Sequence, residues 1–442
     1  MTMIDESRNS MLEKYREFVR IPSISASREG VDEAASYLVD LMNSVGLRGE
    51  MMRSGGNPVV FGEVSNGSGK TVLIYNHYDV QPVDPAGEWS GDPFSAAVRD
   101  GRVYGRGSAD NKGTLVARLF GIGEVLERDE LEVNLKFLFE GEEEIGSPNL
   151  ESFASENRQK LAADAVVMEG SQVDAGGRPT VTLGVKGLLY VELEEETGRS
   201  DLHSSLAAVT NGAPWNLVHA LNTIYDGRRV LVDGFYDGVR PLTGEERRLV
   251  EAYPLDPEEM LNSCAVRELR SMKREELSYA LLAEPTCNID GLLSGYTGKG
   301  SKTVTPRKAM AKLDFRLVPD QDPARLFGLL EQRLRSVGFG GSISQFGMEY
   351  PVRTSAGSWV AKAMIESASE SYGCEPVVMI NGAGTQPMGI FTRTVGIPEG
   401  VSAIGVGDNL SRVHAPDESV DIGRFYQAVD HTARFLRAAG GR

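Results

Sequence analysis

Four short apolar runs in this chain each end in a histidine or an acid, and that recurrence limits what it can fold into. The first, residues 72–75, ends in His77-Tyr78-Asp79. The second, residues 135–139, ends in Glu140-Gly141-Glu142-Glu143-Glu144. The third, residues 165–168, ends at Glu169-Gly170, and a fourth, residues 402–406, leads to His414-Ala415-Pro416. Runs this short and this apolar read as strands buried on both faces. A helix-like run at residues 115–126 lies between the first two. Strand and helix in alternation predict an α/β fold with a mostly parallel central sheet, whose ligands gather at the carboxyl ends of the strands.

The stretch from 71 to 114 supplies the first half of the expected site. Residues two apart in a strand point the same way, so Asp79 is expected to take the proton on the far nitrogen of His77. Asp110 follows in the glycine-bracketed run Gly105-Arg106-Gly107-Ser108-Ala109-Asp110-Asn111-Lys112-Gly113, where backbone can approach an ion closely. That run lacks the lysine spacing of a phosphate loop. Acids that converge without counter-charge repel one another, and two divalent cations would relieve them. Imidazole and carboxylate without cysteine suit zinc, manganese or cobalt. His219 and His431 sit in helical patterns and read as packed or surface residues.

From about Lys186 the texture changes. LLYVELEEE alternates apolar and polar residues, as a half-exposed strand does. A helix is expected at residues 214–224, a charged helical stretch at 243–274, and alternating strands within 302–318 and 341–346. This predicts an α+β domain, residues 187–349, inserted into a discontinuous first domain of residues 1–186 and 350–442. Helices are expected at residues 6–19 and 32–45.

Composition narrows the function. The formal net charge of −17 argues against nucleic acid or an anionic membrane as partner. No apolar run reaches membrane-spanning length. The acidic, amphipathic N-terminal stretch lacks a signal core, and three widely spaced cysteines fit a reducing compartment, so a cytoplasmic location is expected.

Taken together, His77-Tyr78-Asp79-Val80-Gln81-Pro82, residues 105–112, residues 140–147, Asp201-Leu202-His203-Ser204 and His414-Ala415-Pro416-Asp417-Glu418 resemble metallopeptidase family twenty. That family includes carnosinases and related dipeptidases, aminoacylase, succinyl-diaminopimelate desuccinylase, acetylornithine deacetylase and glutamate carboxypeptidase. The resemblance implies a dizinc-peptidase catalytic domain and a lid domain that mediates homodimerisation. It implies two metals bridged by Asp110, one also held by His77 and Glu169, the other by Glu144 and His414. It implies Glu143 as general base, a cis peptide after Asp110, and a His203 that reaches the partner's site. Within the family, the segment 298–308 and Arg316-Leu317-Val318-Pro319 look carnosinase-like, and positions matching Thr303, Arg316, Gly384 and Thr385 meet substrate there. Carnosinases carry Asp where this chain has Glu169, which is the residue commoner among deacylases and carboxypeptidases. The expected activity is hydrolysis of dipeptides or short peptides with a free C-terminal carboxylate. An N-acyl amino acid deacylase is the alternative within the same chemistry, and a non-catalytic metal- or peptide-binding protein the alternative outside it. Arg316 falls in a strand where it either pairs with Asp314 at the surface or faces the cleft.

Overall fold

The computed structural model describes residues 3–440. An eight-stranded sheet runs in the order Gly49–Met52, Val59–Val64, Asn134–Glu140, Thr71–His77, Ala165–Ser171, Glu399–Ile404, Thr180–Thr182, Val377–Met379. Its centre is parallel: the His77 strand pairs in parallel with the Glu140 and Glu169 strands, and the Glu169 strand pairs in parallel with Glu399–Ile404. The hairpin side, Gly49–Met52 and Val59–Val64, is antiparallel.

Both faces of this sheet are covered, which is why its strands read as unbroken apolar runs. Val72 and Ile74 pack with Leu38, Leu119 and Phe435 on one face. Leu73 and Tyr75 pack with Phe153, Val166 and Phe391 on the other. The helices Val31–Ser44, Gly113–Glu127, Trp359–Tyr372 and Ile422–Ala439 supply the first layer. Ser358 and Asp421 start the last two by accepting from Ala361 N and Arg424 N, and Gly373, at φ 68°, closes one of them.

A second, antiparallel sheet has the order Thr286–Ser294, Lys308–Leu317, Gly187–Glu196, Ser342–Glu349. Its inner face, Leu189, Val191, Leu193, Leu313 and Phe315, packs on the helices Ala213–Ile224 and Pro323–Ser336. The chain passes between the two sheets twice, and the two crossings pair with each other, Val352 with Val185 and Arg353 with Gly184.

Two expected elements differ. Residues 243–274 are not one helical stretch: the helices Gly244–Ala252 and Pro257–Ser263 are separate, and a third, Arg274–Ala283, begins where the stretch was to end. Pro254 and Pro257 interrupt the hydrogen-bond ladder there. These helices also lean towards the larger sheet, where Val250 and Leu282 pack with Ile380. The alternation in 302–318 is likewise split. Val304–Thr305 forms a two-residue ribbon with Leu202–His203, and the long strand begins only after Pro306.

Candidate metal centre

The ends of the parallel strands converge. His77 closes its strand, Glu140 sits directly opposite it on the neighbour, and the chain then turns through the short helical segment Glu143–Ile145. Glu169 lies within its own strand, two residues before the end. Asp110 interrupts the helical turn of residues 108–112 with an extended conformation, and the peptide that follows it is cis.

The geometry is two-sided about Asp110. Its Oδ1 lies 3.1 Å from His77 Nε2, and its Oδ2 lies 3.1 Å from His414 Nε2. On the first side Glu169 Oε2 is 3.3 Å from His77 Nε2. On the second, Glu144 Oε2 is 3.1 Å from His414 Nε2. Glu143 Oε2 stands 3.9 Å from His77 Nε2. The donor atoms of His77, Asp110 and Glu144 lie within 4.8 Å of one another, as do those of His77, Glu143 and Glu169.

The acids and histidines of this cluster shift one another's pKa values. Burial opposes charge on His77, yet Glu169, Asp110, Asp79 and Glu143 around it hold its pKa well above the ordinary value. His414 is pushed up to about 10 by its hydrogen bonds to Asp110 and Glu144. Burial raises Glu169 far above the carboxylate range and lifts Glu143 to about 7, with neighbouring acids adding to both. Asp110 goes the other way: burial opposes its charge, but both histidines hold it below its usual value. The donor set fits divalent cations. Glu144 Oε1 and Glu169 Oε2 are buried without a hydrogen-bond partner among the described residues, and an ion would satisfy both oxygens while displacing the extra protons.

Asp79 departs from expectation. The strand ends at His77, so the two-residue alternation no longer applies at position 79. His77 Nδ1 lies 3.0 Å from the backbone oxygen of Asp79, with the carboxylate further away at 3.5 Å. That carboxylate instead accepts from Glu143 N at 3.2 Å and Glu144 N at 3.0 Å, and so shapes the turn that presents both glutamates.

The remaining candidates lie apart from this cluster. Arg316 Nε donates to Asp314 at 3.0 Å, and its Nη1 donates to Thr385 Oγ1 at 2.8 Å. Gly384 is exposed beside Thr385. His203, on the small ribbon, and Thr303, just before the ribbon's second strand, are both exposed. His203 Nδ1 engages Ser205, and Thr303 O accepts from Ser204 N. His219 is exposed and His431 buried.

Three supporting residues were not singled out by the sequence reading. Gln81 Nε2 donates to Glu144 Oε2 at 2.9 Å. Arg118, fully enclosed, ties Tyr75 O and Asn76 to Met168 O, beside Glu169. Glu418 accepts four hydrogen bonds from the loop that carries Asp110. Gln81 and Glu418 both lay inside quoted motifs, which was the only signal they gave.

Residues 73–438 match Peptidase family M20/M25/M40. The human Beta-Ala-His dipeptidase is 28% identical over 98% of this chain and 90% of its own length. The Cys-Gly metallodipeptidase DUG1 of Candida albicans is 31% identical over 75% of this chain and 74% of its own. Among solved structures, the M20 family metallo-carboxypeptidase Sso-CP2 from Sulfolobus solfataricus is 52% identical, with a TM-score of 0.93 over 97% of this chain and 99% of that one. The converging strand ends therefore belong to a metallopeptidase, and the chain is a member of the M20/M25/M40 family.

Proposed function

We propose that the enzyme hydrolyses the amide bond of dipeptides or short peptides that carry a free C-terminal carboxylate, with two divalent cations, zinc first among them. The observation that carries this reading is the placement of Asp110, one carboxylate oxygen toward His77 and the other toward His414. His77, Glu169 and Asp110 would hold one ion, and His414, Glu144 and Asp110 the other. Such ions, when bound, polarise the scissile carbonyl and lower the pKa of water toward about 7.

The chain's own residues do the rest. Glu143, next to Glu144 and bordering the cluster without being needed to complete either ligand set, takes the proton of the attacking water at its carboxylate and returns it to the leaving amine. Asp79 holds the turn that aims it. Arg316 binds the substrate's C-terminal carboxylate through a planar pair of N–H donors, with Thr385 and Gly384 beside it. A cavity of about 480 Å³ adjoins these residues, bounded by Gly170, Thr182, Gly384, Thr385 and Gln386, and has room for a side chain. His203, with Thr303 alongside, serves the site of a partner subunit, where its imidazole stabilises the developing oxyanion. In this reading residues 187–349 are a lid and dimerisation domain on a catalytic domain of residues 1–186 and 350–442, and the enzyme works in the cytoplasm. The relatives named as dipeptidases and as a metallo-carboxypeptidase support a peptide substrate.

The test is a panel of dipeptides, their C-terminal amides, and N-acetyl and N-succinyl amino acids, run with metal content measured. Amidation of a good dipeptide is expected to cost about 2–5 kcal/mol of transition-state binding, the range for orphaning one partner of a buried charge pair. Arg316→Ala should be nearly indifferent to amidation. Equal cleavage of free and amidated peptides by the wild type removes Arg316 from carboxylate recognition, and turnover confined to N-acyl amino acids replaces the peptide reading.

A further inference from the structure

Glu418 is fully enclosed, with 0% of its surface exposed. Strand pairing sets it there. Ser419 lies opposite Tyr104 in a small sheet, and Gly105 N donates to Glu418 O at 2.9 Å. Its carboxylate then faces the turn of residues 106–110. Oε2 accepts from Arg106 Nη1 at 2.8 Å and Gly107 N at 3.0 Å. Oε1 accepts from Ala109 N at 2.8 Å and Asp110 N at 3.0 Å. Two oxygens thus fix one guanidinium and three backbone amides of a single turn, with Gly107, at φ 79°, allowing its amide to point inward. Charge-assisted bonds of this kind are the strong class, and no neutral side chain accepts at all four positions.

The two ends of this clamp are the two segments that meet at Asp110. The carboxylate grips the backbone amide of Asp110, whose side chain lies between His77 and His414. His414 itself is four residues upstream of Glu418, in a loop where Arg412, His414 and Asp417 all adopt positive φ, at 50°, 61° and 62°. That loop is pinned at its start by the paired contacts of Arg102 with Asp408, at 2.8 and 2.9 Å, and at its end by Glu418. We propose that Glu418 is a positioning residue: it locks the Asp110 turn to the His414 loop, so that the two ligands stand in the relative geometry that divalent cations require. The inference rests on the reading of Asp110 and His414 as metal ligands.

The experiment compares zinc affinity of wild type and Glu418→Gln by competition against a chromophoric chelator, with near-UV circular dichroism to confirm the fold of the metal-free proteins. Glutamine keeps the shape but turns an N–H₂ toward two of the four donors. Folded E418Q should bind zinc about 10–100-fold more weakly, the usual cost of losing a group that orients metal ligands, and its kcat should fall with zinc limiting and recover in part with zinc in excess. A residue that served only the stability of the fold would lower the melting temperature and leave zinc affinity of the folded protein unchanged, and that result overturns the proposal. If E418Q does not fold, Arg106→Lys loosens the same clamp from its other side, because it loses the fork that reaches both Glu418 and Pro82 O. Zinc affinity equal to wild type in R106K then overturns it. A wild type that binds no zinc overturns the reading of the ligands themselves, whereas tight wild-type binding with unaltered variants overturns only the role of Glu418.

Discussion

Glu143 and Glu144 are neighbours in the chain, yet they face different atoms. Glu144 touches His414 and receives Gln81, whereas Glu143 has no imidazole within hydrogen-bond distance, His77 Nε2 being 3.9 Å away. If Glu143 is the proton carrier and not a ligand, Glu143→Gln keeps both ions and loses the chemistry. Its kcat should fall by at least the ~10²-fold that general acid–base catalysis supplies, with two metals per chain still found by elemental analysis. Near-normal turnover at full metal content would sink the role. At this scale the sequence was informative where a residue's chemistry follows from its own local context. His77, Glu144 and Glu169 each follow or close an apolar run, so the strand itself announces the site. Glu418 is the opposite case. Its side-chain partners lie 308 to 312 residues upstream, and only the folded register of Ser419 against Tyr104 brings them together.

Elements were legible in proportion to their burial. The parallel strands and the helix Gly113–Glu127 are mostly buried and carry a strong apolar signal. The charged residues 243–274 carry a weak one, and the proline breaks decided their structure. The packing of Trp359–Tyr372 against Ile422–Ala439 contains a buried histidine whose consequence can be measured. His431 is enclosed, its Nε2 lies 3.2 Å from Ser367 Oγ, its ring meets Tyr372 edge-on, and Arg118 and Asp430 act on it by charge. Burial, helped by Arg118, lowers its pKa from 6.5 to about 4. A histidine whose folded pKa is depressed stays neutral in the fold while the unfolded chain takes up a proton. Its effect is therefore absent above the unfolded value and destabilising as pH falls from 6.5 towards 4. The full window corresponds to about 3 kcal/mol at most. His431→Leu should remove that part of the acid sensitivity, and Ser367 Oγ keeps its bond to Met364 O at 3.0 Å. Urea unfolding at several pH values checks this: the gap between wild type and H431L should shift in favour of the variant below pH 6.5, and a gap independent of pH would place the proton elsewhere.

At the scale of the whole molecule, the arrangement of His203 poses a question that one chain does not answer. Every ligand proposed for the ions comes from residues 77–169 or from 414, whereas His203 lies on the ribbon joining Leu202–His203 to Val304–Thr305, and Thr303 directly precedes its second strand. Both are exposed, and the hydrogen bonds of the His203 imidazole among the described residues go to Ser205 of its own segment. In the segments that follow His203, Leu206, Val209, Trp215 and Val218 are 43%, 79%, 77% and 45% exposed. In the proposed dimer another copy of the chain would cover these residues, since a two-fold contact pairs like patches and would deliver the same ribbon to both sites. The proposal that His203 acts across such an interface makes a prediction that neither subunit alone can satisfy. His203→Ala and Glu143→Gln should each be inactive. Mixed and allowed to exchange, they form hybrid dimers in which one site combines an intact Glu143 with an intact His203 from the partner. Random pairing of equal amounts makes such sites about one in four, so activity near a quarter of wild type is expected. Hybrids can be confirmed by tagging the two variants differently and co-purifying them. If exchange is demonstrated and no activity returns, His203 either works within its own chain or has no part in the reaction. The apolar face would then need a different occupant.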